Sequence, residues 1–377
     1  MPWQEYSIMS QRLDFVRLAQ QKGTNFRELC RRFNISPTTG YKWCSRMSDL
    51  DPSSLSDRSR RPRTSPSRTP EAMENVIIEL RDQQYDWGGR KLRNLLIKQG
   101  HTDVPSASTI TEILRRHGLL DEQEAVKHAP FVRFEHSSPN DLWQMDFKGH
   151  FPILNGRCHP LTILDDHSRY SILVKACSNE QSQTVQEALI DRFRLYGLPH
   201  RMLMDNGSPW SGQGQGITAL EAWLMRLNIK VTHGRPHHPQ TQGKDERFHR
   251  TLKSAVISRY VLNNIEHCQQ AFDDFRQTYN HVRPHEALDM NPPASRYRAS
   301  QRNYPETMPS IEYDTSDHVR KVDISADIRY KGRKIKVGRG LAGQYVALRP
   351  TLNDGVYDLV YCNCKIKTVD FRENTNP

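Results

Sequence analysis

The sequence predicts a multidomain chain: all-α helix-turn-helix units first, an α/β core next, and a small C-terminal β-barrel last. Three observations predict it. Apolar residues recur at helical spacing as far as about residue 118. From about residue 135 strand-like apolar runs alternate with helical ones. Beyond residue 318 only short strand-like runs remain, punctuated by glycine, and a barrel closes such strands with few residues. At 377 residues the chain has room for two or three domains and a substantial core.

Residues 1–50 read as a helix-turn-helix domain. Ile8, Phe15, Leu18 and Ala19 form one apolar stripe, and Phe26, Leu29, Cys30 and Phe33 a second. Ser36 is set to cap a third helix and Pro37 fits its first position. In that helix Gly40, Trp43, Cys44 and Met47 fall on the inner side. Thr38, Thr39, Lys42 and Arg46 are left outward as candidate DNA contacts. The Ser-, Pro- and Arg-rich residues 51–69 lack a core pattern and read as a basic linker. Residues 70–122 form a second helical unit of the same theme, with stripes at Met73, Val76, Ile77 and Leu80, at Leu92, Leu95 and Leu96, and at Ile110, Ile113 and Leu114.

The core, residues 135–300, reads as strands over 142–147, 161–164 and 170–176, a helix over 181–196, and a strand over 201–204. A helix near 216–227, a strand over 230–233 and a long helix from 243 to 262 follow, so the sheet is mixed with helices on its faces. Residues 318–377 form the small β-domain.

Lys and Arg number 54 against 43 Asp and Glu, a formal charge of +11. An enzyme of small molecules has no need of that excess, whereas a chain lying on a phosphate backbone gains from counterion release. Residues 1–68 alone carry +7. The seven cysteines are scattered and odd in number, which suits reduced thiols in a cytoplasmic protein. No apolar run approaches the ~20 residues of a membrane-spanning helix.

Three carboxylates draw the chemistry together. On the 142–147 strand Trp143, Met145 and Phe147 share one face, and Leu142, Gln144 and Asp146 the other. A carboxylate on so apolar a strand is costly unless it binds something or reaches solvent. Asp205 ends a strand, the place where functional groups of open α/β sheets gather. Glu246 lies in the first turn of the long helix, sharing a face with Arg250 and Lys253. Oxygen ligands from two strands and a helix suit Mg²⁺. Asp165 and Asp166 are alternatives to Asp146, better read as a turn, and Asp245 points about 100° from Glu246 on the helix. His233, His237 and His238 suggest zinc, but without nearby Cys they read better as DNA contacts or loop packing. Trp210 reads either as a base-stacking residue or as a loop anchor.

Taken as an ordered set, MDFKGH, LMDNGS, RPHHPQTQGKDERFHRTLK and YNHVRPHEAL resemble the catalytic core of DDE insertion-sequence transposases with a retroviral-integrase core. That resemblance implies a ribonuclease H-like fold and a catalytic, metal-binding triad at Asp146, Asp205 and Glu246. It implies two Mg²⁺ ions, with Mn²⁺ able to substitute, and DNA contacts at Lys244, Arg250 and Lys253. It further implies a homo-oligomer acting on double-stranded DNA, both transposon ends and target, in the bacterial cytoplasm at the nucleoid. Forty residues separate Asp205 from Glu246, more than the family usually has, and the Gly- and Gln-rich segment from Ser208 to Gly216 accounts for the excess as a loop. A retired DNA-binding regulator and a structure-specific nuclease of the same fold are the alternative readings.

Overall fold

The structure is a computed structural model that describes residues 7–47, 52–58, 68–120, 135–205, 207, 210, 216–234 and 243–372. It forms two compact units, Met1–Arg68 and Thr69–Pro377.

The first unit is a helix triad, α1 (Ile8–Ala19), α2 (Phe26–Arg32) and α3 (Pro37–Arg46). Ser36 caps α3 by accepting from Thr39 N, and Pro37 takes the first turn, as the sequence predicts. Phe15, Val16, Leu29, Cys30 and Trp43 form its core. Two expectations change here. Leu55, in the stretch read as linker, is fully buried in that core, and its carbonyl accepts from Arg12 at 2.8 Å. Nor are all four polar residues of α3 free on the outer side. Thr39 is half-buried and its hydroxyl bonds Ser36, while the half-buried Arg46 guanidinium lies 5.0 Å from the Trp43 ring centroid. Thr38 and Lys42 remain exposed.

The second unit opens with α4 (Glu71–Gln83), α5 (Gly89–Lys98) and α6 (Ala107–Arg116), whose core is Ile77, Leu80, Trp87, Leu92, Leu96, Ile110, Ile113 and Leu114. A Cβ on Gly89 would stand 2.3 Å from the Ala107 carbonyl oxygen, so glycine permits α5 to approach α6 this closely.

The core sheet is built from β1 (Leu142–Phe147), β2 (Phe151–Ile153), β3 (Gly156–Asp165), β4 (Ser171–Cys177), β5 (Arg201–Met204) and β6 (Lys230–His233). β1 lies centrally, antiparallel to β3 and parallel to β5, and β5 pairs in parallel with β6. β4 joins the other edge of β3, and the short β2, absent from the sequence reading, makes a hairpin with the start of β3. Helices α7 (Ser182–Tyr196) and α8 (Ala219–Arg226) belong to one apolar cluster with Trp143, Met145 and Phe147. Helices α9 (Gly243–Leu252) and α10 (Ile265–His281) belong to the other, through Phe248, Leu252, Phe272 and Phe275. The single long helix expected over 243–262 is interrupted by a π-helical turn at Lys253–Ile257.

At the C-terminal end β7 (His318–Lys321), β10 (Tyr345–Pro350), β11 (Val356–Tyr361) and β12 (Cys364–Asp370) form an antiparallel sheet. β8 (Asp327–Tyr330) and β9 (Arg333–Lys336) form a hairpin whose Tyr330 meets Tyr357 and Phe371 of the sheet region. This is the form the expected β-domain takes. It docks on the start of α8, where a Gly340 Cβ would stand 2.1 Å from the Thr218 carbonyl carbon. All seven cysteines are free thiols, and among the described residues no helix is long and apolar enough to cross a membrane.

Gly89→Ala should destabilise the protein by about 1–3 kcal/mol through overpacking. Gly88→Ala, where a Cβ meets nothing within 4 Å, should be near neutral. Urea denaturation of both variants checks this, and equal midpoints would refute the close approach.

Candidate active site

The alternation of β1 decides where Asp146 points. Trp143, Met145 and Phe147 pack into the cluster of α7 and α8, so Gln144 and Asp146 face the side of α9 and α10. Asp146 stands opposite Thr162 in the β1–β3 register. Its carboxyl is pushed up to about 7, first by burial and then by the charge of Asp205, with Glu180 and Glu246 adding to the push. Two of the three carboxylates singled out in the sequence, Asp205 and Glu246, therefore act on the third, Asp146, in the fold.

Asp205 follows β5, the parallel neighbour of β1. Its Oδ1 accepts from Gly207 N at 2.9 Å and from Trp210 Nε1, leaving Oδ2 without a donor among the described residues. Trp210 is 1% exposed and stacks on Phe147 with centroids 5.3 Å apart, so it anchors the loop and orients Asp205. The rest of Ser208 to Gly216, Gly216 excepted, lies outside the described residues, as do His237 and His238.

Of the two parts expected for His233, DNA contact or loop packing, the structure shows packing. Its Nδ1 donates to the Asp205 carbonyl at 2.9 Å and its Nε2 to Glu221 Oε1 at 2.7 Å. The Glu221 bond raises the imidazole's proton affinity above its ordinary value, against the opposing effect of burial. Glu221 Oε2 in turn accepts from Thr218 N at 2.6 Å in a capping box, which fixes it on α8.

Glu246 is exposed in the first turn of α9. Asp245 beside it is 3% exposed, its Oδ1 has no hydrogen-bond partner among the described residues, and burial followed by the Asp146 charge raises its proton affinity well above the ordinary value. The angular separation expected of the two neighbours thus holds, with Asp245 inward and Glu246 outward.

His249 was missed by the sequence reading. The Thr162 hydroxyl donates to Asp146 O at 3.0 Å, so it accepts from His249 Nε2–H at 2.8 Å. His249 Nδ1 then stands 3.9 Å from Asp146 Oδ2. Burial, with Lys148 adding, lowers the His249 pKa to about 4.

Asp165 and Asp166 are structural. Asp165 accepts from Asn140 N and from Ser168 N and Oγ, and Asp166 from His136 N and Gln144 Nε2. Lys244, expected as a DNA contact, is instead drawn to Asp166 in an ion pair. The desolvated carboxylate at the β3–β4 turn needs a cation more than solvent does. Arg250 and Lys253 remain exposed. Arg283 is buried in an ion pair with Asp86 at 2.6 Å, joining the segment after α10 to the segment after α4.

Among the described residues no three His, Cys, Asp or Glu side chains stand close enough to hold a metal ion as they are. The donor chemistry nevertheless fits a hard cation. Asp146, Asp205 and Glu246 offer only oxygen, the charges of Asp205 and Glu246 both bear on Asp146, and none has an ion pair with Lys or Arg among the described residues.

Known proteins share these segments. Residues 136–239 match the family described as integrase core domain, and residues 227–293 match a second family of that description. The chain carries an integrase core. Residues 317–377 match the C-terminal domain of IS481 family transposases, residues 11–63 a helix-turn-helix domain and residues 39–114 a homeodomain-like domain. An uncharacterized protein of insertion element IS476 from Xanthomonas euvesicatoria is 24% identical over 246 residues, covering 63% of this chain and 69% of its own. Another, of insertion element IS407 from Burkholderia multivorans, is 22% identical, over 62% of this chain and 85% of its own. The Gag-Pro-Pol polyprotein of squirrel monkey retrovirus is 34% identical over 118 residues, which are 31% of this chain and 6% of that one. Among solved structures, the HTLV-2 integrase catalytic core domain in complex with magnesium aligns with 43% of this chain and 99% of its own, at 18% identity and a TM-score of 0.35.

The raised Asp146 pKa gives a stability signature for the metal-free integrase core. Its folded value, about 7, lies above the ordinary 3.8, so the folded state binds more protons between them. The stability this contributes is present below the ordinary value and lost as pH rises through about 7. In chelator, Asp146→Asn should therefore gain on the parent between about pH 5 and pH 8, by an amount on the order of a few kcal/mol. Urea denaturation at both pH values measures it, and an unchanged difference would show that the Asp146 carboxyl is not raised in the fold.

Proposed function

We propose that this chain is an insertion-sequence transposase. It binds the terminal inverted repeats of its element through residues 1–120, cleaves the 3′ ends by attack of water, and joins them to target DNA by attack of the 3′ hydroxyl. The observation that carries the reading is the buried Asp146 carboxyl with Asp205 and Glu246 both acting on it, the three coming from two neighbouring strands and a helix. The integrase-core and transposase C-terminal matches support it, as do the insertion-element relatives.

In this reading Asp146, Asp205 and Glu246 hold two Mg²⁺ ions, with Mn²⁺ able to substitute. Bound there, such a pair activates the attacking oxygen and stabilises the leaving one in an in-line displacement. The remaining work belongs to the chain. Trp210 and Gly207 orient Oδ1 of Asp205, and His233 holds the carbonyl of the same residue against Glu221. His249, through Thr162, ties α9 to the main chain of Asp146, which keeps helix and strand ligands in register. Arg250 and Lys253, exposed on the α9 side, are free for phosphate contacts, as are Thr38 and Lys42 on α3. Two DNA ends must be held together, so the working form is a homo-oligomer. A cytoplasmic, nucleoid-associated location goes with that task.

A strand-transfer assay with a pre-cleaved terminal-repeat duplex and Mg²⁺ tests the proposal. Asp205→Ala and Glu246→Ala should each lose on the order of a thousandfold in rate, the scale of several kcal/mol in the transition state, while still shifting the duplex in a gel. Strand transfer persisting in either variant contradicts the assignment.

A further inference from the structure

The chain divides into compact units after Arg68, so α4, α5 and α6 belong to one unit with the integrase core. Three sets of polar contacts fasten them to it. Arg283, 7% exposed in the segment after α10, pairs with Asp86 at 2.6 Å and stands 5.8 Å from the ring centroid of the buried Trp87. Arg259, just past the π-helical turn that follows α9, donates to Asp82 O at 2.9 Å and to Gln83 O at 3.5 Å. Arg90 reaches Glu286 at 3.5 Å, and Lys98 Nζ donates to Met290 O at 3.3 Å.

The Arg259 contact bears most directly on the triad. The last carbonyls of a helix have no partner within it, and a cation there also meets the negative end of the helix dipole. Arg259 satisfies two such carbonyls at the end of α4, and it lies on the continuation of α9, the helix that carries Glu246. The end of α4 and the Glu246 helix are therefore held together. In the same helical unit α6 turns Ile110, Ile113 and Leu114 inward and leaves Ser108, Thr109, Glu112 and Arg115 exposed. A polar face on the third helix of such a unit is the arrangement that reads a DNA groove. Successive phosphodiesters of one strand are only about 3.4 Å apart along the duplex axis. A helical unit that slipped by that much past the core would bring the neighbouring bond to the triad. The 2.6 Å and 2.9 Å contacts of Arg283 and Arg259 cannot survive such a slip, and a broken buried pair leaves an uncompensated charge.

We propose that α4, α5 and α6 are a ruler: with α6 on the duplex, Arg283 and Arg259 fix its distance from the triad and so select which phosphodiester is cut. The ruler rests on the transposase reading above and deepens it. Arg283 and Arg259 are positioning residues, acting only through that distance.

The test maps the cut positions on an uncleaved terminal-repeat duplex with Mg²⁺, using the full chain at saturating concentration. The parent should cut one bond at each 3′ end. Arg259→Gln and Asp86→Asn should still shift the duplex in a gel but spread the cuts, raising those at neighbouring bonds at least about threefold. Arg259→Lys, which keeps a donor for the α4 carbonyls, should recover the single position. Arg194→Gln, which breaks the exposed Arg194–Glu306 pair elsewhere on the core, should never lose it. Arg259 is exposed, so its variant decides the question even if Asp86→Asn fails to fold. Cutting at the parental bond alone, however slow, in Arg259→Gln and in any folded Asp86→Asn marks these contacts as structural, and overturns the ruler while the transposase reading stands. Equal spreading in Arg194→Gln overturns it too, as a general loosening. A parent that cuts no bond overturns the transposase reading and the ruler with it.

Discussion

The burial of the Asp146 carboxyl within reach of the charges of Asp205 and Glu246 is the constraint around which the rest of the core is arranged. A carboxylate that is largely desolvated and faces two others holds its proton up to about pH 7. Only a proton or a cation relieves that repulsion. The same feature therefore makes the metal-free core less stable at neutral pH, and on the proposed reading a divalent ion would relieve it, a trade of stability for function. The surrounding contacts hold Asp205 in place. Phe147 stacks on Trp210, Trp210 donates to Asp205, and His233 and Glu221 brace the Asp205 main chain.

That bracing reaches beyond the sheet. Glu221 belongs to α8, and the C-terminal β-domain packs on the start of α8 through Gly340 and shares an apolar cluster with Ala222. The C-terminal β-domain thus packs on the helix that carries Glu221 and, through it, steadies Asp205. On the other side, the Asp86–Arg283 pair ties the second helical unit to the segment after α10. Removing one partner of such a buried pair leaves an uncompensated charge, which is why it acts as a fastening between the two.

What the sequence made legible is local. Period-two alternation placed Trp143 and Met145 on one face and Asp146 on the other, and the Ser36–Pro37 start of α3 followed from capping chemistry. The illegible parts are contacts between residues far apart in the chain. His249 and Thr162 are 87 residues apart, Lys244 and Asp166 are 78 apart, and no spacing rule pairs them. Lys244 looked like a free cation because its partner sits in a turn that reads as ordinary polar sequence. Leu55 was lost in a Ser- and Pro-rich context, although one buried leucine is enough to anchor such a segment. The ordered motif set singled out Asp146, Asp205 and Glu246 for a joint role that no single residue suggests, since each carboxylate alone reads as a turn or surface group.

The most direct measurement of a shared metal site is a Mn²⁺ titration followed by electron paramagnetic resonance at about neutral pH. The account predicts saturable binding by the parent, weakened at least about tenfold in each of Asp146→Asn, Asp205→Asn and Glu246→Gln, the scale expected when a ligand is lost. Parental affinity in all three variants would contradict it.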